Sequence, residues 1–287
     1  MSVRMKFVPM KKLMHAALQG GYAVPSFCVW NAETMATVLR TAQEMRSPVI
    51  LMNGPCEFKP LPPPVLFRVA QSVASDFDVK AAFLLDHGNA LAQAAECIDA
   101  GYTSVMLDFS MRSFAENAAA LRQVVALARP RGVTVEGEIG HVGRVDEATA
   151  EGTRESTLTD PADAVIYMKE TGVDALAVSI GNSHGQYTRL PRFDFDRLAA
   201  IRKVVSVPLV LHGGSGTPDD DLKRAISLGI AKINVATDVV TAVRESLRRQ
   251  WDGKKNLWAP MAMAEAMTVV ADVVRRWILR TGAEGKA

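Results

Sequence analysis

The sequence predicts an α/β protein, a single (β/α)8 (TIM) barrel with an extra C-terminal helix, on three observations. Short, nearly uninterrupted apolar runs recur eight times along the 287 residues. Each is followed by a stretch with helical periodicity or helix-start signals. No linker-like change of composition divides the chain, so one unit spanning residues 1–287 is expected.

The strands are expected at Tyr22–Val29, Pro48–Met52, Lys80–His87, Ser104–Ser110, Thr134–Gly140, Asp174–Ile180, Pro208–Gly213 and Ile230–Thr237. Continuous runs of β-branched and aliphatic residues suit strands covered on both faces, as in a parallel sheet. Between them, Met35, Val38, Leu39 and Ala42 recur at helical spacing as one apolar stripe. Ser113 and Glu116 stand three residues apart as a capping box. Asp160-Pro161 and Thr217-Pro218 each set a cap residue before a proline in the first helical position. Asp219, Asp220 and Asp221 then fall in a first turn, where the helix dipole favours acids. The stretch Trp251–Pro260 reads as a loop before a terminal helix, Met261–Leu279. An open doubly wound sheet is the competing architecture, but no GxGxxG follows the first strand and no P-loop is present.

Composition narrows the function. Hydrophobic residues make up 48% of the chain, enough for a large core. Its 33 basic and 31 acidic residues leave a formal charge of +2, and aromatic residues are 6%. Neither nucleic acid nor a membrane surface is expected as a partner. The start lacks the continuous apolar stretch of a signal peptide, and no run of about 18 apolar residues suggests a membrane span. Cys28, Cys56 and Cys97 form no metal-binding or disulfide pattern, which points to a reducing, cytoplasmic setting.

Reactive groups of such barrels sit at the C-terminal ends of the strands. Of five histidines, His87 ends the third expected strand, His184 follows the sixth and His212 ends the seventh. One such histidine alone would ordinarily be a hydrogen-bonded polar residue. Three converging on one mouth form a Zn²⁺ arrangement with an open coordination position. His141, after the fifth strand, competes as a ligand, whereas His15 lies in an N-terminal helical segment and is read as structural. The glycine-rich turn Gly213-Gly214-Ser215-Gly216 and the end of the eighth strand, Asn234 to Asp238, occupy the two places where barrels commonly bind phosphate.

These residues resemble a known family. Leu85-Asp86-His87, Glu136-Gly137-Glu138, Ser183-His184-Gly185, His212-Gly213-Gly214-Ser215-Gly216 and Lys232-Ile233-Asn234-Val235-Ala236-Thr237 are similar, in order and spacing, to the class II fructose-bisphosphate and tagatose-bisphosphate aldolases. The likeness runs over nearly the whole chain. Asn31-Ala32-Glu33-Thr34 and Phe114-Ala115-Glu116-Asn117 place it nearest the tagatose-type branch. The resemblance implies that His87, His184 and His212 hold Zn²⁺, with Glu138 a carboxylate at the metal and Glu136 in support. It implies that Asp86 moves the proton of the C4 hydroxyl; the alternative for a carboxylate there is to orient a ligand histidine. It further implies that Gly185, Gly213, Ser215 and Thr237 hold the phosphate of dihydroxyacetone phosphate, and that Asn234 steadies the enediolate. The expected reaction is reversible cleavage of a ketose bisphosphate, such as fructose or tagatose 1,6-bisphosphate, to dihydroxyacetone phosphate and an aldehyde. A homodimer or homotetramer is usual for the family, some tagatose-type members need a companion subunit, and a monovalent cation often accompanies the phosphate.

The chain departs from the family in two regions. In the loop after the fifth strand a glycine is Arg144, and the acid that takes the substrate's C–H proton is matched by Asp146, with Glu147 beside it as the other candidate. Around the aldehyde half, a family asparagine is Cys28, the Ser/Thr-rich turn reads Asn53-Gly54-Pro55-Cys56, a histidine is Leu84, and a glycine and a histidine are Phe109 and Met111. The alternative expectation is therefore an aldolase with the same donor but a different aldehyde, one that need not carry a phosphate. A metal-dependent hydrolase is disfavoured because the first strand ends Phe27-Cys28-Val29-Trp30, with no HxH pair. A non-catalytic partner subunit is disfavoured by retention of the three histidines and Asp86.

Overall fold

The computed structural model describes residues 7–144, 156–185, 187, 190–255 and 257–287. Its centre is a closed, all-parallel barrel whose strands are β1 (Val24–Cys28), β2 (Val49–Asn53), β3 (Ala81–Gly88), β4 (Ser104–Leu107), β5 (Thr134–Ile139), β7 (Ala175–Val178), β9 (Leu209–Leu211) and β10 (Ile230–Val235). Sequential strands are neighbours, and the barrel closes where β1 pairs with β10, Ser26 opposite Asn234. Every expected strand is present, usually trimmed by one to three residues where the chain turns into a loop.

The outer layer begins with α1 (Met10–Gly20), which crosses the base of the barrel. Its Met10 and Lys11 backbone N–H groups donate to Ser104 Oγ and Thr134 Oγ1, both at 3.1 Å. The base is thereby covered, and the opposite end is left as the mouth. Helices α2 (Ala32–Glu44), α3 (Pro63–Ala74), α4 (Leu91–Ala100), α5 (Phe114–Ala128), α6 (Pro161–Thr171), α7 (Phe195–Val204), α8 (Asp219–Ser227) and α9 (Thr237–Asp252) follow their strands, and α10 (Ala259–Arg280) ends the chain. The α2 stripe of Met35, Val38, Leu39 and Ala42 is fully buried. Asn31 and Thr34 form a reciprocal capping box at its start, as Ser113 and Glu116 do for α5. Asp160 accepts from the N–H groups of Ala162 and Asp163 at the start of α6. Thr217 does not cap α8. The helix starts one residue late, Pro218 takes the cap position with no side-chain cap bond, and the Thr217 hydroxyl is buried without a partner. Helix α9 also runs further than expected, with Trp251 and Asp252 remaining helical.

One feature is absent from the expected pattern. The two-residue strands β6 (Gly143–Arg144) and β8 (Ser183–His184) pair in parallel above the barrel and tie the loop after β5 to the loop after β7. Among the described residues, no helix is long and apolar enough to cross a membrane.

Candidate functional site

His87, His184 and His212 meet at the barrel mouth. Their ring centroids lie 4.7 to 5.6 Å apart, and one ring nitrogen of each falls within 4.8 Å of the other two. Each arrives by a different local device. His87 is a non-glycine residue with φ of +48°, in the left-handed region, at a register shift between β3 and β4. A bulge at a strand end re-aims a side chain, so the successive residues Asp86 and His87 can both serve the site rather than alternate across the sheet. His184 is placed by the β6–β8 ladder. His212 directly follows β9 and is fully buried, its carbonyl accepting from Asn182 Nδ2 at 3.0 Å.

The second nitrogen of each ring is already engaged. His87 Nδ1 lies 2.8 Å from Asp108 Oδ2, His184 Nδ1 lies 3.2 Å from the Val142 carbonyl, and His212 Nε2 lies 2.9 Å from Glu136 Oε1. That leaves His87 Nε2, His184 Nε2 and His212 Nδ1 buried without hydrogen-bond partners and facing one another. Three orphaned imidazole nitrogens, each ring oriented through its far side, are the donor set of a zinc site with its orienting shell. The residues fit the metal.

Carboxylates surround the trio. Glu138 Oε1 accepts from the Val142 N–H at 3.1 Å. Its Oε2 lies 3.1 Å from His212 Nδ1, close but outside hydrogen-bonding geometry, so both atoms stay unpartnered. Glu138 also groups with His87 and Asp108 as a second set of atoms able to hold a cation. Burial favours the neutral ring of His87, yet the charges of Asp86, Asp108 and Glu138 outweigh it and lift its pKa to about 10. Burial and the neighbouring His87 and His212 drive His184 well below the ordinary range. Asp108, despite its burial, is held far down the carboxylate range by His87 and Ser110. Asp86, Asp108 and Glu138 thus make the pocket an anionic cup that favours a cation among the three rings.

Asp86 is not the carboxylate that orients His87; Asp108 is. Asp86 Oδ1 instead accepts from Asn234 Nδ2 at 3.0 Å, and Asn234 Oδ1 remains buried and free. Glu136 lies beneath His212 and is paired with Lys232, both fully buried. Sequence reasoning gave no role to Asp108 or Lys232, although Asp108 directly follows β4, where barrel chemistry concentrates. His141 is buried and bonded to Ser110 through Nδ1 at 2.9 Å, and it belongs to neither ligand group. Asp146 and Glu147 lie outside the described residues.

The phosphate candidates assemble beside the trio. Gly213 has φ of +64°, and a Cβ there would collide with the Ser183 carbonyl, so only glycine permits this close crossing of the two loops. Ser215 Oγ accepts from the Asp238 N–H at 3.2 Å in the first turn of α9. A cavity of about 560 Å³ opens there, lined by Tyr187, Ser215, Gly216, Thr237, Asp238 and Arg276. A helix start facing a glycine-rich turn offers backbone N–H groups to an anion. Gly185, at φ of +98°, directly follows His184.

Comparison with known proteins agrees with this arrangement. A family model described as fructose-bisphosphate aldolase class-II matches residues 8–286. The crystal structure of the YdjI aldolase from Escherichia coli K12 is 33% identical, superposes with a TM-score of 0.87, and the match covers 98% of this chain and 99% of that one. A Coccidioides immitis protein provisionally described as a fructose-1,6-biphosphate aldolase is 28% identical with a TM-score of 0.87, over 96% of each chain. The fructose-bisphosphate aldolase of Campylobacter jejuni, 21% identical with a TM-score of 0.84 over 99% of this chain and 97% of that one, shares the fold.

Proposed function

We propose that this chain, which belongs to the class II fructose-bisphosphate aldolase family, is a zinc-dependent aldolase whose donor is dihydroxyacetone phosphate. One observation carries the reading: three buried, unpartnered imidazole nitrogens face one another beside Asp86 and next to an anion-ready helix start. His87, His184 and His212 would hold the zinc, with Glu138 within reach. Bound there, zinc supplies a Lewis acid toward the substrate's ketone.

The chain's own residues account for the remaining work. Gly185, Gly213, Ser215 and Thr237 bind the donor phosphate and fix the position of the three-carbon unit. Asp86 accepts the C4 hydroxyl proton as the C3–C4 bond breaks, and the C4 oxygen becomes the aldehyde carbonyl. The electron pair of that bond remains on C3, delocalised into the adjacent carbonyl. Asn234 holds Asp86 through Nδ2 and keeps Oδ1 free for a substrate hydroxyl. Asp146 or Glu147 then returns a proton to C3. A ketose 1,6-bisphosphate such as fructose or tagatose 1,6-bisphosphate is the reference substrate. The tagatose-type affiliation rests on segments that also have structural roles: Asn31 and Thr34 cap α2, and Asn117 Nδ2 donates to the Glu138 carbonyl.

A cytoplasmic homodimer or homotetramer completes the proposal. The exposed Leu257, Trp258 and Met261 around the start of α10 form an apolar surface suited to association, and all three cysteines are free thiols.

The deciding experiment quantifies bound zinc and follows exchange of the C–H of dihydroxyacetone phosphate in D₂O by NMR. Stoichiometric zinc, and exchange that is lost in Asp146→Ala or Glu147→Ala, is the expected result. Zinc without exchange would remove this donor from the proposal.

A further inference from the structure

We propose that the acceptor half of the site takes a hydroxylated aldehyde without a phosphate, and that Glu57 enforces this choice. The inference rests on the donor reading above and extends it to the other substrate. With the donor phosphate at Ser215 and Thr237 beyond β9 and β10, and Asp86 at the C4 hydroxyl, the rest of the aldehyde extends over the ends of β1 and β2. The registers Cys28 opposite Met52 and Asn53 opposite Leu85 bring Cys28, Asn53 and the turn after β2 to the rim beside Asp86. That turn is packed hard on the site, for a Cβ on Gly54 would strike the Asp86 carbonyl.

An anion at this place needs a cation or free backbone N–H groups. The Gly54 N–H of this turn is already taken. Glu57 folds back so that Oε2 accepts from the Gly54 N–H at 2.7 Å, while Oε1 lies 3.8 Å from the Cys28 thiol. The chain's own carboxylate thus occupies the position a substrate phosphate would seek. Burial, and then the nearby charge of Asp86, raise the pKa of Glu57, so the local environment already disfavours negative charge. Among the described residues, no lysine or arginine pairs with Glu57 or Asp86. Lys59, two residues on, is exposed. A second dianion would meet these two carboxyl groups and, among the described residues, no paired countercharge, whereas the hydroxyls of a neutral aldehyde find acceptors in the Glu57 carboxylate.

The test compares kcat/KM for condensation of dihydroxyacetone phosphate with glyceraldehyde, with erythrose and with glyceraldehyde 3-phosphate, alongside the donor exchange assay. Wild-type protein is expected to prefer an unphosphorylated aldehyde by about tenfold or more, roughly the effect of one unfavourable charge contact. Glu57→Gln keeps an acceptor for the Gly54 N–H and removes the charge; it is expected to narrow that preference at least severalfold with donor exchange unchanged. Exchange with a preference for glyceraldehyde 3-phosphate overturns this inference alone, as does a preference that Glu57→Gln leaves untouched. Absence of donor exchange overturns the donor reading and this inference together.

Discussion

Lys232 and Glu136 form an ion pair sealed inside the barrel, Nζ lying 2.8 Å from Oε2 and 3.1 Å from Oε1, with neither side chain exposed to solvent. Glu136 Oε1 also meets His212 Nε2 at 2.9 Å. The pair therefore fixes which face of the His212 ring is left for a metal. Burying two charges is costly even when they are paired. Here the cost stays with the chain because the anionic oxygen orients a ligand ring and raises its basicity.

Lys232→Met strands the Glu136 charge in the core and is expected to cost about 3–5 kcal/mol in urea unfolding. The double variant Lys232→Met/Glu136→Gln, which removes both charges of the pair, is expected to recover most of that stability. Its zinc affinity, read by chelator competition, is nevertheless expected to fall about 10–100-fold, the usual effect of losing a ligand's orienting partner. Wild-type affinity in the double variant would assign the pair to packing alone.

The same pair gives the protein an acid limit. Glu136 is fully buried, and despite that burial the Lys232 and His212 charges lower its pKa from 4.5 to about 2. A depressed carboxylate stabilises the fold fully above its ordinary value, and the contribution is lost as pH falls from 4.5 toward about 2. Across that window the wild type is expected to lose more stability than Lys232→Met/Glu136→Gln, as read from unfolding free energies at successive pH values. Parallel pH profiles for the two proteins would contradict the assignment.

Asp86→Asn separates the two proton transfers. Cleavage and condensation are expected to slow by about 10²–10⁴-fold, the range for a lost general acid–base group. Exchange of the donor C–H in D₂O is expected to persist, since another acid serves C3. Equal loss of both activities would mean that Asp86 supports the metal site.

Ser215→Ala tests the anion site at the start of α9. Losing one hydrogen bond to a charged group is expected to raise KM for dihydroxyacetone phosphate about tenfold or more, with kcat little changed. Inhibition by inorganic phosphate should weaken in parallel. An unaltered KM would place the phosphate elsewhere along the mouth.

The strand and helix pattern was readable because each barrel strand is buried on both faces, so its apolar run is continuous, and because the caps at Ser113 and Asp160 act within three residues. The histidine trio was readable for a related reason: strand ends mark the barrel mouth, and His87, His184 and His212 stand at three of them. Where prediction slipped, a local signal had a competing solution, as at Thr217, where Pro218 took over the cap position.

By itself the sequence determined the barrel, the residues at its mouth and the family they resemble, all consequences of periodicity and position along the chain. Only the tertiary structure decided that His212 presents Nδ1 whereas His87 and His184 present Nε2, that Asp108 rather than Asp86 orients His87, and that Lys232 neutralises Glu136 from 96 residues away. It also turned Glu57 back onto its own turn. Each is a pairing between polar groups that burial forces to find partners, and the partner comes from whichever neighbouring element lies within about 3 Å. Distance along the chain carries no record of that choice.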